Sequence, residues 1–222
     1  RQRQMCIRDR AYVNDANPDG SEYLLYTVGS SSGKGDITIS DCNIHAAKKY
    51  IHAGAASVIA QGSSKIYIGN VYGMQEFKAT GASYTRVYGD LMTWRGLGLS
   101  DSSNLVIDGN LIAGSHSASQ KETATVNSSG YLIVKGNRCE FANFNIKKGT
   151  IIANDVSVGY QGEMSGGTII TNHLMNYGTN NPEKNRRDGN YNYTPATAQQ
   201  TVPFYTFSNP YSGITSYTSV SY

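Results

Sequence analysis

The sequence predicts an all-β solenoid in which short parallel strands stack coil upon coil. The main observation is a repeated motif, which consists of a β-branched run, a turn carrying Asn and a further apolar residue. The turns recur at irregular intervals of 17 to 27 residues, as solenoid coils do. Six copies span residues 37–44, 66–71, 105–111, 132–137, 151–156 and 169–174, and a weaker seventh, with Asp in place of Asn, spans 87–91.

Serine pairs support the same register. They stand at 31–32, 63–64, 102–103 and 128–129, and in the last three cases another apolar strand precedes them. One coil therefore contains a strand, a serine turn, a second strand and an Asn turn. Strands this short cannot bury a face alone, but copies stacked about 4.8 Å apart can.

This pattern resembles the right-handed, single-stranded parallel β-helix of pectate lyases, polygalacturonases and phage tailspikes. The resemblance covers residues 30–178 and implies about seven coils with an apolar interior. The side chains that we expect to point inward are Ile39, Ile68, Ile107, Val134 and Ile152.

The Asn residues of the turns are interpreted as one structural column. Asn tolerates the left-handed backbone of a sharp turn, and stacked amides hydrogen-bond along a column. The predicted column contains Asn43, Asn70, Asn110, Asn137, Asn154 and Asn172, with Asp90 at the weaker copy.

Residues 1–10 fit no coil. They carry four Arg and one Asp, and they look like translated read-through of a sequencing adapter in a metagenomic fragment. We therefore expect them to pack on nothing and the natural N-terminus, with any signal peptide, to be missing. The alternative is a basic arm that binds nucleic acid.

The charge balance depends on this exclusion. The whole chain of 222 residues has a net charge of +3, and residues 1–10 supply all of it. The remainder is neutral, so the charge gives no support for nucleic-acid binding. The chain contains no long apolar run, which predicts no membrane span. Outside residues 1–10, Cys42 and Cys139 are expected to be buried free thiols, since the predicted register separates them beyond disulfide reach.

The predicted domain organisation is a β-helix over residues 11–178 and a Tyr-, Asn- and Pro-rich tail over 179–222 that packs on the helix. Two coils carry insertions, at 45–61 and 115–123, where a cleft would form. The sequence of residues 191–195, followed by Val202 and Pro203, resembles a segment after the last coil of secreted bacterial pectate lyases.

The candidate site follows from the chemistry of uronide cleavage. A lyase needs positive charge to neutralise the substrate carboxylate and a base near the acidic proton. The predicted register places several charged residues near the turns of successive coils, beside the only tryptophan. We assign Arg95 and Lys135 as catalytic cations, Trp94 as a sugar platform, and Asp90 and Asp108 as residues that bind Ca²⁺ or orient the sugar. The alternative is a solvated Asp108–Lys135 ion pair with Trp94 in the core.

A second candidate group, on the first long loop, consists of His45, Lys48, Lys49 and His52; its alternative is a solvated loop. The chain lacks the Arg-x-Pro-x-x-Arg motif of pectate lyases. It also lacks the Asn-Thr-Asp, Gly-Asp-Asp, Gly-His-Gly and Arg-Ile-Lys motifs of polygalacturonases. Three explanations stay open: the catalytic coils lie upstream, other residues act, or the protein binds without catalysis.

The resemblance therefore implies an extracellular or cell-surface protein that binds or cleaves acidic polysaccharide. The alternative is a non-catalytic β-helix, either an adhesin or a phage tailspike stem. Tailspike stems trimerise along an exposed flank, whereas we expect a monomer here, so hydrodynamic size separates the two hypotheses.

Overall fold

The computed structural model describes residues 3–5, 23–26, 36–53, 56–73, 75–114, 123–176 and 218–221. These residues form a parallel β-solenoid of about six turns without helix, which confirms the predicted fold class. The serine pair at 31–32, the insertion at 115–122 and tail residues 179–217 lie outside the described residues. The described strands are β1 (Arg3–Met5), β2 (Tyr23–Tyr26), β3 (Ile37–Ser40), β4 (Asn43–His52), β5 (Val58–Gln61), β6 (Lys65–Gly73), β7 (Glu76–Ala79), β8 (Tyr84–Val87), β9 (Leu91–Thr93), β10 (Gly96–Asp101), β11 (Asn104–Ile107), β12 (Leu111–Ala113), β13 (Thr123–Val134), β14 (Cys139–Ala153), β15 (Asp155–Met164), β16 (Thr168–Thr171), β17 (His173–Asn176) and β18 (Thr218–Ser221).

Each coil contributes to three parallel sheets, and the longer strands bend from one sheet into the next. Sheet 1 contains β1, β3, β5, β7, β10 and segments of β13, β14 and β15. Sheet 2 contains β8, β11, β16 and segments of β4, β6, β13 and β14. Sheet 3 contains β2, β9, β12, β17 and segments of β4, β6, β14 and β15. We call the bend from sheet 1 to sheet 2 corner 1, from sheet 2 to sheet 3 corner 2, and from sheet 3 to sheet 1 corner 3.

The two end strands close the described stack. β1 pairs in parallel with β3, and Met5 lies opposite Ile39. The prediction that residues 1–10 pack on nothing is therefore wrong for Arg3–Met5. At the other end β18 pairs antiparallel with β16 in sheet 2. Added strands of this kind satisfy the backbone groups that the edge of a stack otherwise leaves unpaired.

The interior is apolar, as predicted. Successive side chains along a strand point to opposite faces of the sheet, so every second side chain points inward. Ile39, Ile68, Ile107 and Val134 lie in the main core and are at most 2% exposed. Ile152 is buried too, but in a second cluster, and its neighbours Ile151 and Ala153 take the core positions. The predicted inward direction of Ile152 is therefore wrong. Cys42 and Cys139 are free and buried, as predicted, and burial raises the pKa of the Cys139 thiol.

Corner 1 explains the serine motif. The hydroxyls of Ser64 and Ser103 are fully buried, and each lies near a main-chain carbonyl of the preceding coil. Ser103 Oγ is 2.9 Å from the Ala79 carbonyl oxygen, and Ser128 Oγ is 2.8 Å from that of Ser103. Buried hydroxyls need such partners, so the serines join consecutive coils inside the bend.

Aspartates also stabilise corner 1. Asp41 and Asp101 adopt positive φ, at 52° and 62°, a conformation that Asp tolerates better than most residues. Asp41 Oδ1 accepts a hydrogen bond from the backbone N–H of Ser63 at 2.9 Å. Asp101 Oδ2 accepts one from the backbone N–H of Gly81 at 2.8 Å. These backbone hydrogen bonds, together with those from neighbouring serine hydroxyls, lower the pKa of both carboxyls.

The lowered pKa values predict a specific loss of stability in acid. The folded state binds these protons less readily than the unfolded chain, so the stabilisation is present above the ordinary pKa of 3.8 and disappears as pH falls below it. We expect the melting temperature of the parent to fall more steeply between pH 5 and pH 2 than that of the Asp41→Asn/Asp101→Asn variant. Asn keeps the turn conformation but does not titrate. Parallel pH profiles for the two proteins would contradict the assignment.

Candidate functional site

The Asn turns belong to more than one corner. Asn70, Asp90 and Asn110 stack at corner 2, where each side-chain Oδ1 accepts a backbone N–H from the next coil, at 2.7, 2.7 and 3.1 Å. The next position in this ladder is Arg138 rather than Asn137. Asn43 begins a sheet-2 strand next to corner 1 and pairs with Lys65. The prediction of a single Asn column is therefore right for part of the chain and wrong for Asn43 and Asn137.

Asp108 and Lys135 meet on adjacent coils, as their spacing predicts. Both follow sheet-2 strands, and their backbone N–H groups donate to the carbonyls of Val87 and Ile107 in the preceding coil. Lys135 Nζ lies 2.7 Å from Asp108 Oδ1. The side chain of Lys135 is 27% exposed and that of Asp108 is 19% exposed. Asp41 lies away from this pair, at corner 1.

Arg86 completes this cluster and was missed from the sequence. It points outward from β8 between the inward-facing residues Thr85 and Val87. Its Nε donates to Asp108 Oδ2 at 2.9 Å, and its guanidinium lies 4.8 Å from the ring centroid of Tyr88. Burial opposes the charge of Arg86, but the hydrogen bond and the negative charge of Asp108 outweigh it and raise the Arg86 pKa. The alternation of inward and outward residues along β8 was the signal in the sequence that could have placed Arg86 on the outer face.

The cationic cluster, defined as Arg86, Asp108, Lys135 and Tyr88, carries one more positive than negative charge. Asp108 is shared between two cations, at 2.8 and 2.7 Å. Because both cations are about one-third exposed, the pairs contribute at most about 1 kcal/mol each to stability. Tyr88 is 41% exposed. The arrangement presents an exposed aromatic ring beside two partly exposed cations.

Aromatic side chains continue along the outer face of sheet 2. The rings of His45 and Tyr67 stack with centroids 4.5 Å apart and an interplanar angle of 12°. Tyr84 lies 5.7 Å from Tyr67 on the following coil. Of the other residues grouped with His45 from the sequence, Lys48 is exposed at corner 2, Lys49 is buried, and His52 lies in sheet 3.

The remaining predicted site residues are distributed over two corners. Asp90 is the last residue of corner 2 on its coil, and its Oδ1 also accepts a hydrogen bond from Asn110 Nδ2 at 3.1 Å. Trp94 and Arg95 lie at corner 3, beyond strand β9. Trp94 is half-buried and Arg95 is exposed, with its backbone N–H donating to the Gln75 carbonyl at 2.9 Å. Sheet 3 therefore separates Trp94 and Arg95 from the cationic cluster.

Asp90 and Asp108 are the carboxylates that the sequence predicts to bind Ca²⁺ or orient the sugar. Among the described residues, no group of three or more His, Cys, Asp or Glu side chains could hold a metal ion. Asp108 already pairs with Arg86 and Lys135, whose positive charges oppose the approach of Ca²⁺. The surroundings of Asp108 therefore disfavour the expected Ca²⁺ role of this carboxylate.

Comparison of the chain with protein-family models, curated proteins and solved structures finds no match. In the described ranges, no helix has the length and apolarity required to cross a lipid bilayer.

Proposed function

We propose that this solenoid binds an acidic polysaccharide, outside the cell or at its surface, on the outer face of sheet 2. The observation that supports this function best is the cationic cluster, where two cations share one carboxylate beside an exposed tyrosine. A uronate carboxylate would accept charge-assisted hydrogen bonds from Arg86 and Lys135. The ring of Tyr88 would pack against the apolar face of the same sugar.

The repeat of the solenoid suits a polymer. Adjacent coils place equivalent side chains about 4.8 Å apart, so a chain lying along the stack meets similar groups at each step. His45 and Tyr67 extend the aromatic surface on the two coils that precede Arg86, and Tyr84 lies on the same strand as Arg86. The charge of the chain outside residues 1–10 is neutral, which favours a sugar acid over nucleic acid, because nucleic-acid binding draws on an extended basic surface.

Binding should respond to charge in both directions. We expect Lys135→Ala and Arg86→Gln to weaken binding of a uronic-acid oligosaccharide by about 10-fold or more, since a charged hydrogen bond contributes about 1.5–3 kcal/mol. Asp108→Asn should strengthen binding, because it removes the negative charge between the cations. Titration calorimetry at low ionic strength measures both effects, and salt should weaken the parent interaction.

Lys78→Ala is the matched control, because Lys78 also forms an exposed ion pair, with Glu76 at 2.6 Å, on the outer face of sheet 1. It should bind like the parent. Equal affinity in all four variants would reject the site, and weaker binding by Asp108→Asn would show that charge is not what attracts the ligand.

Cleavage of uronic-acid polymers by the parent and its variants is measured by the absorbance of unsaturated products, with and without Ca²⁺. Lower activity in Arg95→Ala and Lys135→Ala would extend the proposal to a lyase in which both cations act. Binding without product would leave a carbohydrate-binding protein.

A further inference from the structure

Lys65 adds a third cation to the outer face of sheet 2, one coil before Arg86. It lies opposite Tyr84 in the strand pairing, and Arg86 follows Tyr84 by two residues on β8. Residues two apart along a strand share a face, so Lys65 and Arg86 both point away from the core. Lys65 is exposed, and it forms no ion pair with any other residue that the structure describes. Its ammonium group is therefore available to an anion from outside the chain.

The three cations lie on a diagonal across this face. Arg86 pairs with Val106, and Val106 pairs with Ile133 on the following coil. Lys135 follows Ile133 by two residues. We call Lys65, Arg86 and Lys135 the cation diagonal. From end to end it crosses three coil steps, roughly 14 Å, and four residues along the strands, roughly 13 Å, which makes its length about 20 Å. A single sugar ring cannot reach both ends, whereas an oligosaccharide of several units can.

Tyrosine rings flank the first two cations. Tyr84 lies opposite Lys65, and in the same two strands Tyr67 lies opposite Arg86. Cations and tyrosines therefore alternate over these four positions, and the two rings are half-buried, with centroids 5.7 Å apart. A tyrosine ring packs against the apolar face of a sugar, while a neighbouring cation binds the carboxylate of that sugar. The surroundings of Lys65 thus repeat the chemistry of the cationic cluster, where Tyr88 stands beside Arg86.

The charges of this face favour a ligand with several carboxylates. The described segments of sheet 2 contain no Asp or Glu, and Asp108 follows directly after one of them. We propose that Lys65 binds a further carboxylate of the same polymer, so that the ligand is a run of uronates along the cation diagonal rather than an isolated acidic sugar. The added subsite depends on the function proposed above, because it extends the same binding face.

Ligand length tests the cation diagonal. Titration calorimetry at low ionic strength compares a diuronate, which is too short to reach from Lys65 to Lys135, with a hexauronate, which spans both. We expect Lys65→Ala to weaken hexauronate binding by about 5-fold, the effect of one exposed charge, and diuronate binding much less. Arg86→Gln should weaken the binding of both ligands, because both use the cationic cluster.

Lys78→Ala, which removes an exposed lysine from the outer face of sheet 1, is the control and should bind both ligands like the parent. Suppose that Lys65→Ala binds the hexauronate like the parent, or loses affinity for both ligands equally, while Arg86→Gln weakens both. The cation diagonal is then wrong, and the cationic cluster stands as the binding site. If Arg86→Gln binds the hexauronate like the parent, the proposed function fails and the added subsite fails with it.

Discussion

Phe141→Ala is expected to lower the free energy of unfolding by about 3–5 kcal/mol, the usual cost of removing a buried aromatic side chain. Phe141 is fully buried in the sheet-3 segment of β14. Its ring meets that of Phe144, which belongs to sheet 1, edge to face at 5.9 Å. The substitution therefore removes both core volume and a contact between two sheets. Such a loss is a large part of the 5–15 kcal/mol that stabilises an ordinary domain.

Urea denaturation followed by far-ultraviolet circular dichroism measures this effect. Tyr88→Ala is the control, since it removes a similar volume from an exposed position and should change stability by less than about 1 kcal/mol. If the two substitutions cost the same, the ring of Phe141 does not lie in the core of the solenoid.

Gly149→Ala is the second substitution with a large expected effect, a loss of about 2–6 kcal/mol in the free energy of unfolding. Gly149 has a φ of 101°, which costs a residue with a side chain about 1–3 kcal/mol. An added Cβ would also overlap the Ser128 carbonyl oxygen of the preceding coil. That oxygen is part of the main chain, so the coils themselves must shift, at a further cost of about 1–3 kcal/mol.

Gly98→Ala provides the matched control for Gly149→Ala. A Cβ at Gly98 meets only the flexible side chain of Lys78, at 3.4 Å. Thermal melts should place this variant within a few degrees of the parent and Gly149→Ala far below it. Two similar melting temperatures would mean that the coils at corner 1 do not approach as closely as described.

The strand pattern was predictable because burial imposes a period of two. Each inward position must be apolar, and Ile39, Ile68 and Ile107 stand out as the alternate residues of short β-branched runs. The same rule fails at residues 151–153, where three consecutive residues are buried on both faces of the sheet. When the outer face is also covered, alternation no longer indicates which side chain points inward.

The corners were less predictable than the strands. Corner 1 uses Asp residues that adopt positive φ, whereas corner 2 uses Asn and Asp side chains that accept backbone N–H groups, so residues 41–43 and 108–110 look alike in sequence. Only the strand pairing assigns the first to corner 1 and the second to corner 2. The interaction between Asp108 and Lys135 was predictable because their spacing places both at the same turn of adjacent coils. Arg86 lies within a strand and was not recognised.

The central claim is that the cationic cluster attracts carboxylates of a polysaccharide, and one measurement tests it most directly. The affinity of the parent protein is compared for a uronic-acid polymer and for the same polymer with its carboxyls methyl-esterified. Esterification keeps the sugar backbone but removes the charge that Arg86 and Lys135 would bind. We predict at least 10-fold weaker binding of the ester by the parent, and a much smaller difference for the Arg86→Gln/Lys135→Ala variant. Equal affinity of the parent for both polymers, or an undiminished preference for the acid in the variant, would contradict the account.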